Sequence, residues 1–209
     1  FVDLGDLPYR LFVFADETNE AEAGELETSV SRIAEEVLLD ANAVIEFVDT
    51  SPEIDHPALK YATNVKHFPA VVAVGPEEET LILKEGLSTD ASTAKNELNQ
   101  LCQAFIASPA RQEMFAHLLG VHSVILVVDG TSAASNEATH AIIQQTIPQV
   151  EQSLEFLPKP IKEPPHVVHL TAQAAAEENV LLWALGMDPN PTEATRVALL
   201  FGRGRKLGP

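Results

Sequence analysis

Three places in this sequence hold residue types that could do chemistry. Cys102 is the one cysteine among 209 residues. A single thiol makes no internal disulfide, no CxxC redox pair and no thiolate zinc cage. Ala94, Leu98, Leu101 and Phe105 share a helical stripe with it, so it reads as a small buried hydrophobe and not as a nucleophile. The run from Asp16 to Thr28 is acidic, with Asp16, Glu17, Glu20, Glu22, Glu25 and Glu27. It lacks the DxDxDG spacing of a calcium loop, and tight calcium sites need six or more fixed oxygens. A solvated loop is the plain reading, and low-affinity calcium binding by charge is the alternative. Phe201-Gly-Arg-Gly-Arg-Lys206 carries charge opposite to the rest of the chain. Glycines 202 and 204 admit a close anion and Arg203 and Arg205 could grip one in bidentate fashion. The segment lacks the Lys-Ser/Thr ending of a P-loop, so nucleotide binding is discounted. Gly202, Arg203, Gly204 and Arg205 are therefore either a candidate anion-binding turn or a turn whose arginines pair with the acidic surface.

The histidines suggest no metal. His166 and His169 are three residues apart in an apolar strand, which sends them to opposite faces. His117 and His122 straddle a helix end without a third ligand. There is no G-x-S-x-G elbow, no Cys–His pair and no close carboxylate signature, so no catalytic residue, metal or cofactor is expected. Asp and Glu number 31 against 13 Lys and Arg, for a formal charge of -18. Such a surface repels phosphate backbones and argues against nucleic acid as a partner. No run of ~18 apolar residues is present, so no membrane insertion is expected. The composition, 45% hydrophobic and 21% charged, is that of a globular chain, and its length favours two compact units. The start at Phe1 leads us to expect an upstream segment, such as a signal peptide, removed by processing or by the choice of the expressed region; the compartment stays open, with an extracytoplasmic setting slightly favoured over a cytoplasmic one.

The elements that must position these residues follow an α/β order. Leu11–Ala15 is a short apolar run, the pattern of a strand buried on both faces. Val30, Ile33, Ala34, Val37 and Leu38 mark an amphipathic helix, with Thr28 or Ser29 as its cap. Ala43 to Val48 is the next strand, closed by the turn Asp49-Thr50-Ser51-Pro52. Pro57 opens a short helix through Tyr61. Asn64-Val-Lys-His-Phe-Pro-Ala-Val-Val-Ala-Val74 then places Pro69 directly before an apolar strand, where it is a candidate for a cis bond. Gly75-Pro76 turns the chain into a strand from Thr80 to Lys84, and the Cys102 helix follows.

From Tyr61 to Gly75 the sequence resembles the thioredoxin stretch in which a short helix runs into a cis-proline and then a strand. Glu85-Gly86-Leu87-Ser88 resembles the glycine bulge before the last thioredoxin helix. In catalytic members the dithiol opens the helix after the first central strand, facing the cis-proline. Here the acidic run from Asp16 fills that place without a cysteine. The resemblance implies a thioredoxin-like domain that has lost its thiol chemistry and uses the same surface for binding. Asp16, Glu17, Glu20, His67, Phe68 and Pro69 form the candidate binding face, with a protein of unknown identity as its partner.

The second half restarts the cycle. Ser108-Pro-Ala-Arg111 opens a helix with Met114, Phe115, Leu118 and Leu119, read as a connector over 107–121. Ser123–Val128 is a strand, and a long helix from Ala133 to about Leu154 is expected to kink or stop at Pro148. Pro158 to Pro165 is a proline-rich connector. Strand Val167–Leu170, helix Ala172–Leu185 and strand Thr195–Phe201 complete the order. His122-Ser-Val-Ile-Leu-Val-Val128 and Phe201-Gly-Arg-Gly-Arg205 resemble a bacterial family of tandem thioredoxin-like proteins, a resemblance that brings no activity with it. The expected architecture is therefore α/β, two tandem thioredoxin-like units with mixed central sheets flanked by helices. The units are 1–106 and 122–209, the second abbreviated or incomplete and lacking a closing hairpin strand and helix. A non-catalytic interaction or scaffolding module is the leading expectation. Its rival is an enzyme, either redox with cysteines outside this chain or an unrecognised hydrolase.

Overall fold

The computed structural model describes residues 7–15, 20–51, 55–156, 161, 163–202 and 205–207, the side chains of 20–23 and 205–207 excepted. The chain divides into two compact units, Gly5–Ala107 and Ser108–Pro209.

In the first unit, β1 (Tyr9–Ala15), β2 (Ala43–Asp49), β3 (Ala70–Val74) and β4 (Thr80–Glu85) form one sheet in the order β2-β1-β3-β4. β1 runs parallel to β2 and antiparallel to β3, and β3 pairs antiparallel with β4. The parallel pair needs a crossover, which α1 (Glu20–Glu36) supplies. Leu26, Val30 and Ile33 recur at helical spacing on α1 and are buried. The expectation of a cap at Thr28 or Ser29 is corrected. α1 begins at Glu20, and these two hydroxyls lie inside it, donating to the carbonyls of Gly24 and Glu25. Glu and Ala are good helix formers, and acidic side chains are favoured near a helix N-terminus. The acidic segment from Glu20 onward is therefore helix and not loop.

Every residue of β3 is buried, as expected for a strand inside a sheet. Phe12, Phe14, Val48, Ala58, Tyr61, Val72 and Val74 make one cluster under the 3-10 turn Pro57–Ala62. α2 (Ala91–Ile106) is capped by Asp90, whose carboxylate accepts from the Thr93 amide, and it buries Ala94, Leu98, Cys102 and Phe105.

The second unit repeats the pattern. β5 (Val124–Val128), β6 (His166–Leu170), β7 (Arg196–Phe201) and β8 (Arg205–Leu207) are ordered β6-β5-β7-β8, with β5 parallel to β6 and antiparallel to β7. Two sheets with this strand order, each with one parallel crossover pair and an antiparallel hairpin, are tandem thioredoxin-like units. β8 pairs antiparallel with β7 across Gly202, which takes φ +51. This supplies the hairpin strand that the sequence had not led us to expect, because a three-residue strand carries almost no periodicity.

α3 (Pro109–Leu118) is capped by Ser108. It was expected to be a connector, yet its Ala110, Met114 and Leu118 lie in the core of this unit with Val124, Leu126, Val168 and Leu200. α4 (Ala133–Ser153) continues through Pro148 and does not stop there. Pro148 and Gln144 are both exposed, so the carbonyl that the proline leaves unbonded faces water. The helix expected over Ala172–Leu185 is two, α5 (Ala172–Glu177) and α6 (Asn179–Ala184). The break falls at Glu178, whose buried side chain accepts from the Ala110 amide in the first turn of α3. A carboxylate is favoured there.

Candidate functional site

The turn before β3 is the best-defined part of the expected binding face. Phe68–Pro69 is a cis peptide. The Gly86 amide donates to the His67 carbonyl at 3.1 Å and the Leu87 amide to the Pro69 carbonyl at 2.9 Å. Gly86 makes this possible with φ +62, a conformation that side chains disfavour. The Glu85 carboxylate accepts from the Lys66 amide at 2.6 Å. Two loops are thus tied together beneath an exposed pair, His67 and Phe68, the latter 40% exposed. Asp16 and Glu17 lie outside the described residues. Glu20 opens α1, and its side chain is likewise outside them.

Cys102 sits where the helical stripe placed it, 1% exposed, and burial pushes its thiol up to about 12. A thiol that resists ionisation is a poor nucleophile.

On the flank of the first sheet, Arg10 Nη2 donates to the Tyr61 hydroxyl at 3.0 Å, and that hydroxyl donates to Glu78 Oε1 at 2.9 Å. Lys60 reaches the same carboxylate at 2.9 Å. Hydrogen bonds from Lys60 and Tyr61 hold Glu78 below its ordinary range. This cluster, buried at Tyr61 and exposed at Lys60 and Glu78, fastens the Gly75–Glu79 turn to the sheet.

In the second unit, the position that follows the central strand is closed by hydrogen bonds. Gly130 donates to Asn136 Oδ1 at 2.8 Å and accepts from Asn136 Nδ2 at 3.0 Å. Amides 131 and 132 donate to the Thr192 and Glu193 carbonyls at 2.9 and 3.1 Å. Thr195 stands directly before β7, where Pro69 stands before β3. Its amide donates to Ser135 Oγ at 3.1 Å and its hydroxyl to Asn136 Oδ1 at 2.7 Å. The start of α4 and the 192–195 loop are therefore stitched together, with Gly130 between them. A Cβ at Gly130 would lie 2.3 Å from the Glu193 carbonyl oxygen.

Beside this closure lies a group that sequence reasoning had not anticipated. Asp129 follows β5, His140 is on α4 and His169 is on β6. His140 Nε2 is 2.9 Å from Asp129 Oδ1, and His169 Nε2 is 2.8 Å from Asp129 Oδ2. The two rings meet edge to face at 4.7 Å. Partial burial pushes the Asp129 carboxyl up, but the hydrogen bonds from both histidines outweigh it and hold the group below its ordinary range. His166 goes to the opposite face, as its spacing from His169 required. There it meets Glu113 at 3.0 Å and stacks on His117 at 3.6 Å.

The candidate anion-binding turn is a hairpin connection. Gly202 makes the turn and Arg205 pairs through its backbone with Phe201, whereas Arg203 and Gly204 lie outside the described residues. Among the described residues no helix is long and apolar enough to cross a membrane.

The fold and these sites define a protein of two tandem thioredoxin-like units whose only cysteine is a core residue. That assignment rests on strand order and pairing. Among solved structures, the chain is similar to the first two thioredoxin domains of Saccharomyces cerevisiae Eps1p at 12% identity, with 93% of this chain and 81% of that one covered and a TM-score of 0.37. It is similar to the zinc-bound form of human ERp44 at 10% identity, with 95% of this chain and 50% of that one covered and a TM-score of 0.34. The corresponding domains of Naumovozyma dairenensis Eps1p show 13% identity, coverage of 97% and 85%, and a TM-score of 0.30. No family model and no curated protein matches the chain.

Proposed function

We propose that this chain is a non-catalytic interaction module, in which the first unit presents the His67–Pro69 turn, together with the acidic segment from Asp16 to Glu20, to a protein partner. The observation that carries the reading is the contrast between Cys102 and Phe68. The single thiol is walled into the core with its ionisation suppressed, while a large apolar side chain is 40% exposed on a loop held by two backbone–backbone hydrogen bonds and one from a backbone amide to the Glu85 carboxylate. A rigid exposed aromatic is the kind of group that anchors interfaces, since it brings contact area at little cost in conformational freedom. The formal charge of -18 favours a partner with a basic surface.

The experiment is affinity capture from the native host with the wild-type chain and with Phe68→Asp. A partner that serves this face is retained by the wild type and reduced at least tenfold on the variant, a loss of about 1.4 kcal/mol or more. Equal capture by both chains refutes the reading. Calorimetry with calcium on the same preparation tests the ion-binding alternative, which a flat titration removes.

A further inference from the structure

We propose that Asp129, His140 and His169 form a binding site for a divalent transition-metal ion of the zinc class.

The fold brings the three together from distant positions. β5 and β6 are parallel, with Val127 opposite His169 in the register, so the residue after β5 ends beside His169. The Asp129 amide donates to the Leu170 carbonyl at 2.9 Å, which fixes its backbone against β6. α4 is capped by Ser132 and tied down by Asn136 and Ser135, and its eighth residue, His140, lies over the same strand ends. One ligand atom from each side chain lies within 4.8 Å of the other two. No other group of three or more His, Cys, Asp or Glu meets that criterion among the described residues.

The donor set matches the chemistry. Two imidazole nitrogens and one carboxylate oxygen are borderline donors that suit zinc and its first-row neighbours. A tetrahedral ion with ligands at about 2.0–2.2 Å wants them roughly 3.3 Å apart. The two N···O contacts must open by about half an ångström from their present lengths. The side chains have room to do so, being 33% exposed at His140 and 41% at His169, and this exposure also gives the ion an entry path. Asp129 is 17% exposed, with one carboxylate oxygen turned to each imidazole.

Each Nε2 now faces a carboxylate oxygen at hydrogen-bond distance, so each carries its proton there. Binding moves those protons to Nδ1 or to solvent and puts one cation where two N–H groups pointed. Three protein ligands leave a remaining position to water. Arg196 lines the same cleft as Asp129, but its Nη1 donates to the Asp188 carbonyl. The alternative is a purely structural role, with one carboxylate bridging α4 to β6 and no affinity for metal.

Zinc alone is the probe, titrated calorimetrically into the intact chain near pH 7.5. The expected result is one equivalent bound. His140→Ala, His169→Ala and Asp129→Asn each weaken binding at least tenfold. His166→Ala, which disturbs the other histidine cluster, leaves it unchanged. A measurement on the wild type alone guards against variants that fail to fold: the imidazole resonances of His140 and His169 shift together and saturate at one equivalent. Absence of zinc binding overturns the proposal, and so does binding that survives all three substitutions or that moves only His117 and His166.

Discussion

Replacing Gly130 by alanine should loosen the second unit at one identifiable place. The added Cβ would sit 2.3 Å from the Glu193 carbonyl oxygen and 2.6 Å from the Ala194 carbonyl carbon and oxygen. These are backbone atoms, so no rotamer change relieves the clash. Restoring ordinary contact requires the 192–195 loop to move away by about 1 Å. That movement stretches the bonds from amides 131 and 132 to the Thr192 and Glu193 carbonyls, now 2.9 and 3.1 Å. It also strains the Thr195 contacts with Ser135 and Asn136. Overpacking costs roughly 1–3 kcal/mol and each net hydrogen bond about 1 kcal/mol. We therefore expect a loss of about 3 kcal/mol, which lowers Tm by roughly 10–20 °C for a domain of this size. Trp183 is the only tryptophan, buried in α6 of this unit, so its fluorescence follows the second unit without interference from the first. Denaturant and thermal unfolding read by Trp183 give the assay. A Tm within 2 °C of wild type would show that the loop yields freely and that the closure does not hold the unit together.

Gly24→Ala is the opposite case. Its Cβ meets nothing within 4 Å inside α1, so circular dichroism should show a first unit more stable by about 0.5–1 kcal/mol. Tyr61→Phe keeps the ring stacked on Phe12 but removes the hydroxyl between Arg10 and Glu78, and urea unfolding should show a loss of about 1 kcal/mol. Asp129 is held below its ordinary pKa in the folded state, so its contribution is complete above about pH 4 and is lost as pH falls through the folded value. The stability gap between wild type and Asp129→Asn, on the order of 1 kcal/mol near neutral pH, should therefore close on acidification, as followed by Trp183.

Local signals in the sequence translated into structure where the physics was local. The Leu11–Ala15 run became the central strand because only a strand flanked on both sides is apolar throughout, and Ser108-Pro109 opened a helix because cap and N1 chemistry need no tertiary partner. Pro69 was readable for the same reason, whereas the Gly86 turn was expected only from the resemblance to thioredoxins; the register shift of the β3–β4 pair lies opposite Val71 and Val72. Elements decided by distant contacts were not. The break between α5 and α6 falls at Glu178, whose side chain bonds an amide 68 residues away. Thr28 and Ser29 look like caps in the sequence but lie within a helix that begins at Glu20. The Asp129–His140–His169 group was invisible because its members are 11 and 40 residues apart and meet only through the parallel crossover. Of the candidate binding face, the turn at 67–69 was legible from proline chemistry.

The central claim is that this thioredoxin-like chain works without thiol chemistry, and thiol–disulfide exchange tests it most directly. Disulfide reduction is followed with dithiothreitol as reductant, comparing the native chain with Cys102→Ser, while an aromatic disulfide reagent reports the reactivity of Cys102. We expect no rate above the uncatalysed background from either chain, and a Cys102 that reacts only once denaturant opens the core. Turnover by the native chain that disappears in Cys102→Ser would contradict the account.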